Sequence, residues 1–355
     1  MNTDLSKKTA QRLLDWYDLR QRDLPWRIDR DPYRIWISEI MLQQTQVQTV
    51  IPYYEAFLER FPTVEDLAAA PLEDVLARWS GLGYYRRARF LHAAAIEVVE
   101  RGGFPTSSEG LRSLPGIGAY TAAAVASQAY GEVVPVLDGN VERLLSRRLA
   151  FDGDPKKSAG RQLLGTAAAD LLVPERPGDS NQAMMELGAM VCRPRNPRCD
   201  ACPISHGCRA LDEGDVERYP RPRQRRKTEK YELAAAVATD GDRLILFRRP
   251  ASSEVMPGLW EVATVPYTDD RPTLERTLGE RYGSTWRLGT EHGVVRHSIT
   301  HRSLTVHVFD AEISRDYSVH GSVVSEGPEA AWVEPERRHR YPASSLLEKI
   351  LGQLG

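Results

Sequence analysis

All four cysteines of the chain fall in one stretch, CRPRNPRCDACPISHGC, as Cys192, Cys199, Cys202 and Cys208 in the spacing C-x6-C-x2-C-x5-C. Four thiols this close, with none elsewhere, tie one loop to a metal centre rather than to distant parts of the chain through disulfides. Spacing alone leaves two centres open, a structural zinc on four thiolates or an iron–sulfur cluster, and it leans toward the cluster. His206 lies inside the loop, but with four cysteines available it reads as a surface residue. Arg193, Arg195, Arg198 and Arg209 surround the loop, so it can meet phosphate as well as solvent.

On either side of that loop the pattern of the chain differs. From residue 5 to about 215 apolar residues recur at helical spacing, as in YRIWISEIMLQQTQVQTV and TAAAVASQAY, interrupted by Pro and Gly. EGDVERYPRPRQRRKTEK is proline-broken and basic, a solvated tether. Beyond Tyr231 come short alternating runs, ELAAAVAT, a turn at Asp240 and Gly241, RLILFRRP and HRSLTVHVFDAEI. These shifts predict an all-α region over 1–217, a basic linker over 218–232 and an α+β domain over 233–355. With 355 residues and 41% hydrophobic content, the chain can fill two cores. No apolar run reaches membrane-spanning length, and the first helix lacks a signal-type core, so an intracellular protein without membrane association is expected. A net charge of −2 means that binding to nucleic acid would need local basic faces. Lysine is unevenly placed: none lies between Lys8 and Lys156.

Three further stretches carry chemistry. In LPGIGAYTA, Gly116 and Gly118 permit close backbone approach, and a helix from Ala119 would aim its free N–H groups at an anion, as a helix-hairpin-helix does with DNA phosphate. In VLDGNVERLL, Asp138 reads as an N-cap for a helix starting near Asn140. On YRIWISEIMLQQTQV, read as one helix, the core stripe is Tyr33, Trp36, Ile37, Ile40 and Val47, with Glu39 at its edge. A glutamate there is partly desolvated, which favours its proton-donating form.

SEIMLQQTQV, GLGYYRRAR, LPGIGAYTA, VLDGNVERLL and NQAMMELGAMVC before the cysteine loop together resemble the adenine DNA glycosylases of the endonuclease III-like helix-hairpin-helix superfamily, over nearly the whole chain. The resemblance implies a helical glycosylase region with a [4Fe–4S] cluster on the four cysteines, and a Nudix-like C-terminal domain. It implies duplex DNA with adenine opposite 8-oxoguanine or guanine as substrate, and a monomer in the cytoplasm with the nucleoid. Carried onto this chain, it makes Glu39 the acid that protonates adenine and later activates water, and Asp138 the group that stabilises the oxocarbenium ion. Tyr120 and Asn140 would support Asp138 and the sugar. Arg22, Arg27, Leu42 and Gln182 would surround an extruded adenine, since the base must leave the stack to be reached. Gln44, Thr45 and Tyr84 would probe the 8-oxoguanine side, Gln44 and Tyr84 as wedges. Without the resemblance Arg27 reads as a surface charge, Tyr84 as a core aromatic and His301 as a half-buried strand residue.

Where the family has a Phe-Ser-His loop on the lesion strand, this chain has Ile299, Thr300 and His301, keeping the hydroxyl and giving up the aromatic ring. LERTLGERYG lacks the glutamate cluster of a catalytic Nudix helix, which points to a binding module rather than a nucleotide hydrolase. Lyase-type relatives carry lysine at the position of Tyr120, and a phenol cannot form an imine. The alternatives are an endonuclease III-like glycosylase/lyase and a non-catalytic iron–sulfur DNA-binding protein.

Overall fold

The run AYTAAAVASQAY has few side chains large enough to hold a neighbour away, and residues Thr121 to Ser127 are all buried. In the computed structural model, which describes residues 3–221, 227–250, 252–314 and 328–354, this run is a helix packed between three others. In chain order the helices are α1 (Thr3–Arg20), α2 (Pro32–Leu42), α3 (Val47–Arg60), α4 (Val64–Ala69), α5 (Leu72–Arg78), α6 (Arg86–Glu100), α7 (Ser108–Leu111), α8 (Ala119–Tyr130), α9 (Gly139–Leu149), α10 (Ser158–Ala169), α11 (Pro177–Met190), α12 (Arg209–Asp212), α13 (Arg271–Tyr282) and α14 (Ser345–Leu351). Packing divides the chain into Met1–Ala69 with Phe90–Gln224, and Ala70–Arg89 with Arg225–Gly355.

In the first unit α8 packs on α2, α7 and α11, and α11 also packs on α1 and α9. Gly188 lets α11 and α9 touch, because a Cβ there would meet Asn140 Cβ at 2.7 Å. The single helix expected from YRIWISEIMLQQTQV is two helices. α2 stops at Leu42, Gln44 takes a left-handed φ of 58°, and Val47 opens α3, so Val47 leaves the stripe. Gln43 to Gln46 is a run of polar residues that adds nothing to the apolar stripe.

The second unit is a mixed sheet. β1 (Glu229–Asp240) runs parallel to β6 (Arg302–Ile313), which pairs antiparallel with β5 (Trp286–Ile299). β4 (Ala263–Pro266) and β2 (Arg243–Arg248) pair antiparallel with β1, and β3 (Trp260–Glu261) and β7 (Ala330–Val333) flank β2. β1 begins inside the stretch expected to be tether, and residues 222–226 of that stretch lie outside the described residues. Its alternation sends Ala234, Ala236 and Ala238 toward Leu274, Leu278 and Tyr282 of α13, and Ala235 and Val237 toward Leu346, Leu347 and Ile350 of α14. Both faces are therefore covered, and alanine on both sides lets the layers close in. Residues 70–89 belong to this unit: Tyr85 Oη donates to the Ala343 carbonyl, and Arg89 Nη2 donates to the Pro257 carbonyl at 3.1 Å.

Candidate active site

A cleft of about 650 Å³ opens in the helical unit between α2, the α2–α3 turn, the hairpin before α8, the first turns of α8 and α9, and one face of α11. It brings together Arg22, Arg27, Glu39, Leu42, Gln44, Thr45, Gly116, Gly118, Tyr120, Asp138, Asn140 and Gln182, all of them expected from the sequence. Tyr84, Thr300 and His301 belong to the second unit.

Glu39 lines the cleft but is only 4% exposed, so it is more fully desolvated than the partly buried residue expected. Its Oε2 accepts from Tyr120 Oη at 2.7 Å, and its Oε1 from Gln128 Nε2 at 3.2 Å. Burial pushes its pKa up, the two hydrogen bonds pull it partly back, and the negative charge of Asp138 adds to the rise. A carboxyl held this way keeps its proton further toward neutral pH than an exposed one. Tyr120, its own pKa raised by burial and by Glu39, remains a neutral phenol.

Asp138 is the N-cap of α9, as its position predicts, and it also lines the cleft. Oδ1 accepts from the Val141 amide at 2.7 Å and Oδ2 from Asn140 Nδ2 at 2.8 Å. Burial raises its pKa, and these donors oppose the rise. Because both oxygens receive N–H donors, the geometry matches the ionised form, which can only accept. Asn140 is held in turn by Arg143, whose Nη2 donates to Asn140 Oδ1 at 3.0 Å while its Nε donates to the Cys192 carbonyl at 2.8 Å.

Arg147, 1% exposed, fastens the cysteine loop to α9. It donates to Cys192 Sγ at 3.3 Å and to the carbonyls of Arg193 at 2.7 Å, Pro194 at 2.9 Å and Tyr219 at 3.0 Å. All four cysteines are half-buried free thiols. Burial raises the pKa of Cys199, Cys202 and Cys208, Cys202 to about 11, and neighbouring cysteines raise each further. Four mutually repelling sulfurs ringed by Arg147 and Arg148 fit a positively charged iron centre that takes them as thiolates.

On the opposite wall the decisive residue is one the sequence reading missed. Glu186, 1% exposed, receives Arg22 Nε and Nη2, both at 2.8 Å, and Arg27 Nη2 at 3.0 Å. Burial alone would raise its pKa; the two guanidinium groups override that and bring it to about 2. Arg27 is therefore no surface charge. Its Nη2 also donates to Gln182 Oε1 at 2.9 Å, and its Nε is buried with no hydrogen-bond partner among the described residues. Gln182, Met185, Glu186 and Ala189 all line the cleft, at spacings of three and four that put them on one face of α11. That spacing was available in the sequence.

Gly116 has a φ of 72°, and a Cβ there would meet Phe90 Cβ at 2.5 Å, so glycine is required twice over. Gly118, the N-cap of α8, has open space around it and no side-chain cap, which leaves the first N–H groups of α8 without one. In the second unit Tyr84 is 45% exposed at a φ of 50°, a turn residue and not a core aromatic. Thr300 and His301 form the two-residue tip between β5 and β6, where Ile299 faces Arg302 and Thr300 has a φ of 56°. His301 is thus in a turn, where its Nε2 stands 3.3 Å from Glu229, and not in a strand.

Residues 37–167 match the HhH-GPD superfamily of base excision DNA repair proteins, residues 192–208 the iron–sulfur binding domain of endonuclease III, and residues 233–353 the NUDIX domain. The adenine DNA glycosylase of Homo sapiens is 36% identical over 410 aligned residues, covering 98% of this chain and 74% of the human protein. The chain belongs to the adenine DNA glycosylase family. The adenine DNA glycosylase of Rattus norvegicus is 37% identical, covering 98% of this chain and 78% of the rat protein. As a member of the adenine DNA glycosylase family the protein is a base excision repair glycosylase that acts on DNA, which removes the non-catalytic alternative. A thermostable thymine-DNA glycosylase shares its structure with a TM-score of 0.55 and 29% identity, over 60% of this chain and 100% of that one. Endonuclease III trapped covalently on DNA shares the fold at a TM-score of 0.51 and 24% identity, over 60% of this chain and 99% of that one. The loop from Cys192 to Cys208 is an iron–sulfur loop that takes a [4Fe–4S] cluster, and the zinc reading is set aside.

Proposed function

We propose that the protein hydrolyses the N-glycosidic bond of adenine opposite 8-oxoguanine or guanine in duplex DNA and leaves the abasic strand intact. The observation that carries this is the pair of unlike carboxyl groups in one cleft, Glu39 buried and pushed toward its acid form, Asp138 clasped by two N–H donors. An adenine anion is a poor leaving group, and Glu39 supplies the proton that makes it a better one. The sugar becomes cationic as the bond breaks, and the Asp138 carboxylate stabilises it. Glu39, then ionised, takes a proton from the attacking water.

Arg22, Arg27, Leu42 and Gln182 line the cleft and would surround the extruded base. Gln44 and Thr45 enter from the α2–α3 turn toward the opposite strand, and the free N–H groups at Gly118 take a phosphate. Tyr84, Thr300 and His301 read the 8-oxoguanine side from exposed turns. A structural cluster suffices for this chemistry: its four thiolate bonds close the loop that Arg147 ties to α9.

No lysine is among the residues that line the cleft, and the resemblance puts Tyr120 where a lyase carries its attacking lysine. The test is incubation with a duplex carrying adenine opposite 8-oxoguanine. Adenine release with strand breakage only after alkali, and little borohydride-trapped adduct, is expected. Tyr120→Lys should gain trapping and nicking. Trapping by the unmodified protein at the rate of adenine release would favour the glycosylase/lyase alternative instead.

A further inference from the structure

Gln128 appears in no motif, yet the structure gives it a fixed place behind the acid. Arg27 is a donor only, so Gln182 must turn its Oε1 to Arg27 Nη2, at 2.9 Å. Its amide nitrogen then points the other way, to Gln128 Oε1 at 2.8 Å. That in turn leaves Gln128 with its Nε2 directed at Glu39 Oε1, at 3.2 Å. Neither amide can flip without setting donor against donor, so an arginine determines which atom meets the near oxygen of Glu39.

We propose that Gln128 is a positioning residue that confines the acidic proton of Glu39 to Oε2, the oxygen on the cleft side. An oxygen that already receives an N–H cannot carry a proton toward that donor, so Oε1 stays an acceptor. Glu39, Tyr120 and Met185 line the cleft, whereas Gln128 is outside its lining. Oε2, which meets Tyr120, is therefore the oxygen directed at the extruded base. The Tyr120 hydroxyl has two acceptors in reach, Glu39 Oε2 at 2.7 Å and Met185 Sδ at 3.3 Å. When Oε2 is protonated, the hydroxyl turns to the thioether and its oxygen accepts a hydrogen bond from Oε2–H without a clash. In the step itself the Oε2–H bond breaks, an N–H bond forms on the base, and the electron pair of the C1′–N bond leaves with it. The Tyr120 hydroxyl then turns back to the new carboxylate.

The inference rests on Glu39 being the acid, and its test separates the two. Single-turnover release of adenine from an adenine/8-oxoguanine duplex is measured from neutral to alkaline pH for the wild type, Gln128→Leu, Gln128→Glu and Glu39→Gln. Gln128→Leu removes a donor that favours the carboxylate, so the alkaline limb should move to higher pH while the plateau falls roughly tenfold. Gln128→Glu keeps the volume and the acceptor for Gln182, but the introduced carboxylate draws the proton to Oε1, and its plateau should fall at least as far. A Leu variant with an unshifted limb, or with a shifted limb and an unreduced plateau, would overturn the proposal, since proton content alone would then govern the rate. Should that variant lose its iron–sulfur absorbance, the Glu variant decides by its plateau. An active Glu39→Gln would instead remove the underlying assignment of the acid.

Discussion

At Glu39 the same burial that raises the pKa also sets a pH ceiling on activity. The acid works only while protonated, so kcat should fall as pH rises through its raised value, and a single-turnover pH profile would reveal the limb. Glu39→Gln keeps the shape and an acceptor for Gln128, but its amide cannot deliver a proton. Excision should drop at least 10²-fold, about 3 kcal/mol of barrier, with duplex affinity retained. Glu186 behaves oppositely. Its folded pKa of about 2 lies below the ordinary 4.5, so its contribution to stability is complete above the unfolded value and lost as pH falls through the folded one. That contribution is roughly 3 kcal/mol. Glu186→Gln should therefore flatten the loss of stability between about pH 4.5 and 2, measured by urea unfolding at stepped pH. An unchanged slope would assign the acid sensitivity to other groups.

Among the elements, α9 has two duties: its N-terminus is capped by Asp138 and its last turns hold the cysteine loop through Arg147 and Arg148. Arg147→Ala leaves several buried carbonyls without a donor and should cost about 3 kcal/mol or more, with loss of visible cluster absorbance on mild heating before loss of helical signal. Simultaneous loss of both signals would place the cluster loop in the same cooperative unit as the helices. Much of this level was legible. The N-cap at Asp138, the glycines of the hairpin and the cysteine loop are local patterns, and each lies where its spacing predicts. The face of α11 with Met185 and Glu186 follows from helical period alone, though without a partner in view it looked like any half-polar helix. The pairing of Arg22 with Glu186 joins residues 164 positions apart, and no local pattern encodes it. The break of YRIWISEIMLQQTQV into two helices depends on a left-handed Gln44, which residue type alone does not announce.

For the whole molecule, the strongest departure from a linear reading is the segment Ala70–Arg89. Its leucines and valine at helical spacing resemble those of its neighbours, and only the distant chain decides which core receives them. A protein ending before residue 225 should keep Glu39, Asp138 and the cluster loop, yet lose the acceptors of Tyr85 at Ala343 and Arg89 at Pro257. It should excise adenine with most of its preference for 8-oxoguanine over guanine gone, measured as the ratio of affinities at one salt concentration. Residues 70–89 should gain protease sensitivity. An unchanged affinity ratio would show that residues 225–355 do not read the lesion.

The same segment bears on how the protein is made. Residue 89 leaves the ribosome well before residue 225, and at typical elongation rates the interval is on the order of ten seconds. Through that time a helix-forming stretch with Leu72, Val75, Leu76 and Trp79 has no strand or loop from the later half to pack against. The helical unit can begin to assemble around it, with its two parts joined by a segment that has yet to find its core. Nascent chains stalled at different lengths should therefore protect residues 70–89 late, after the cysteine loop has already closed.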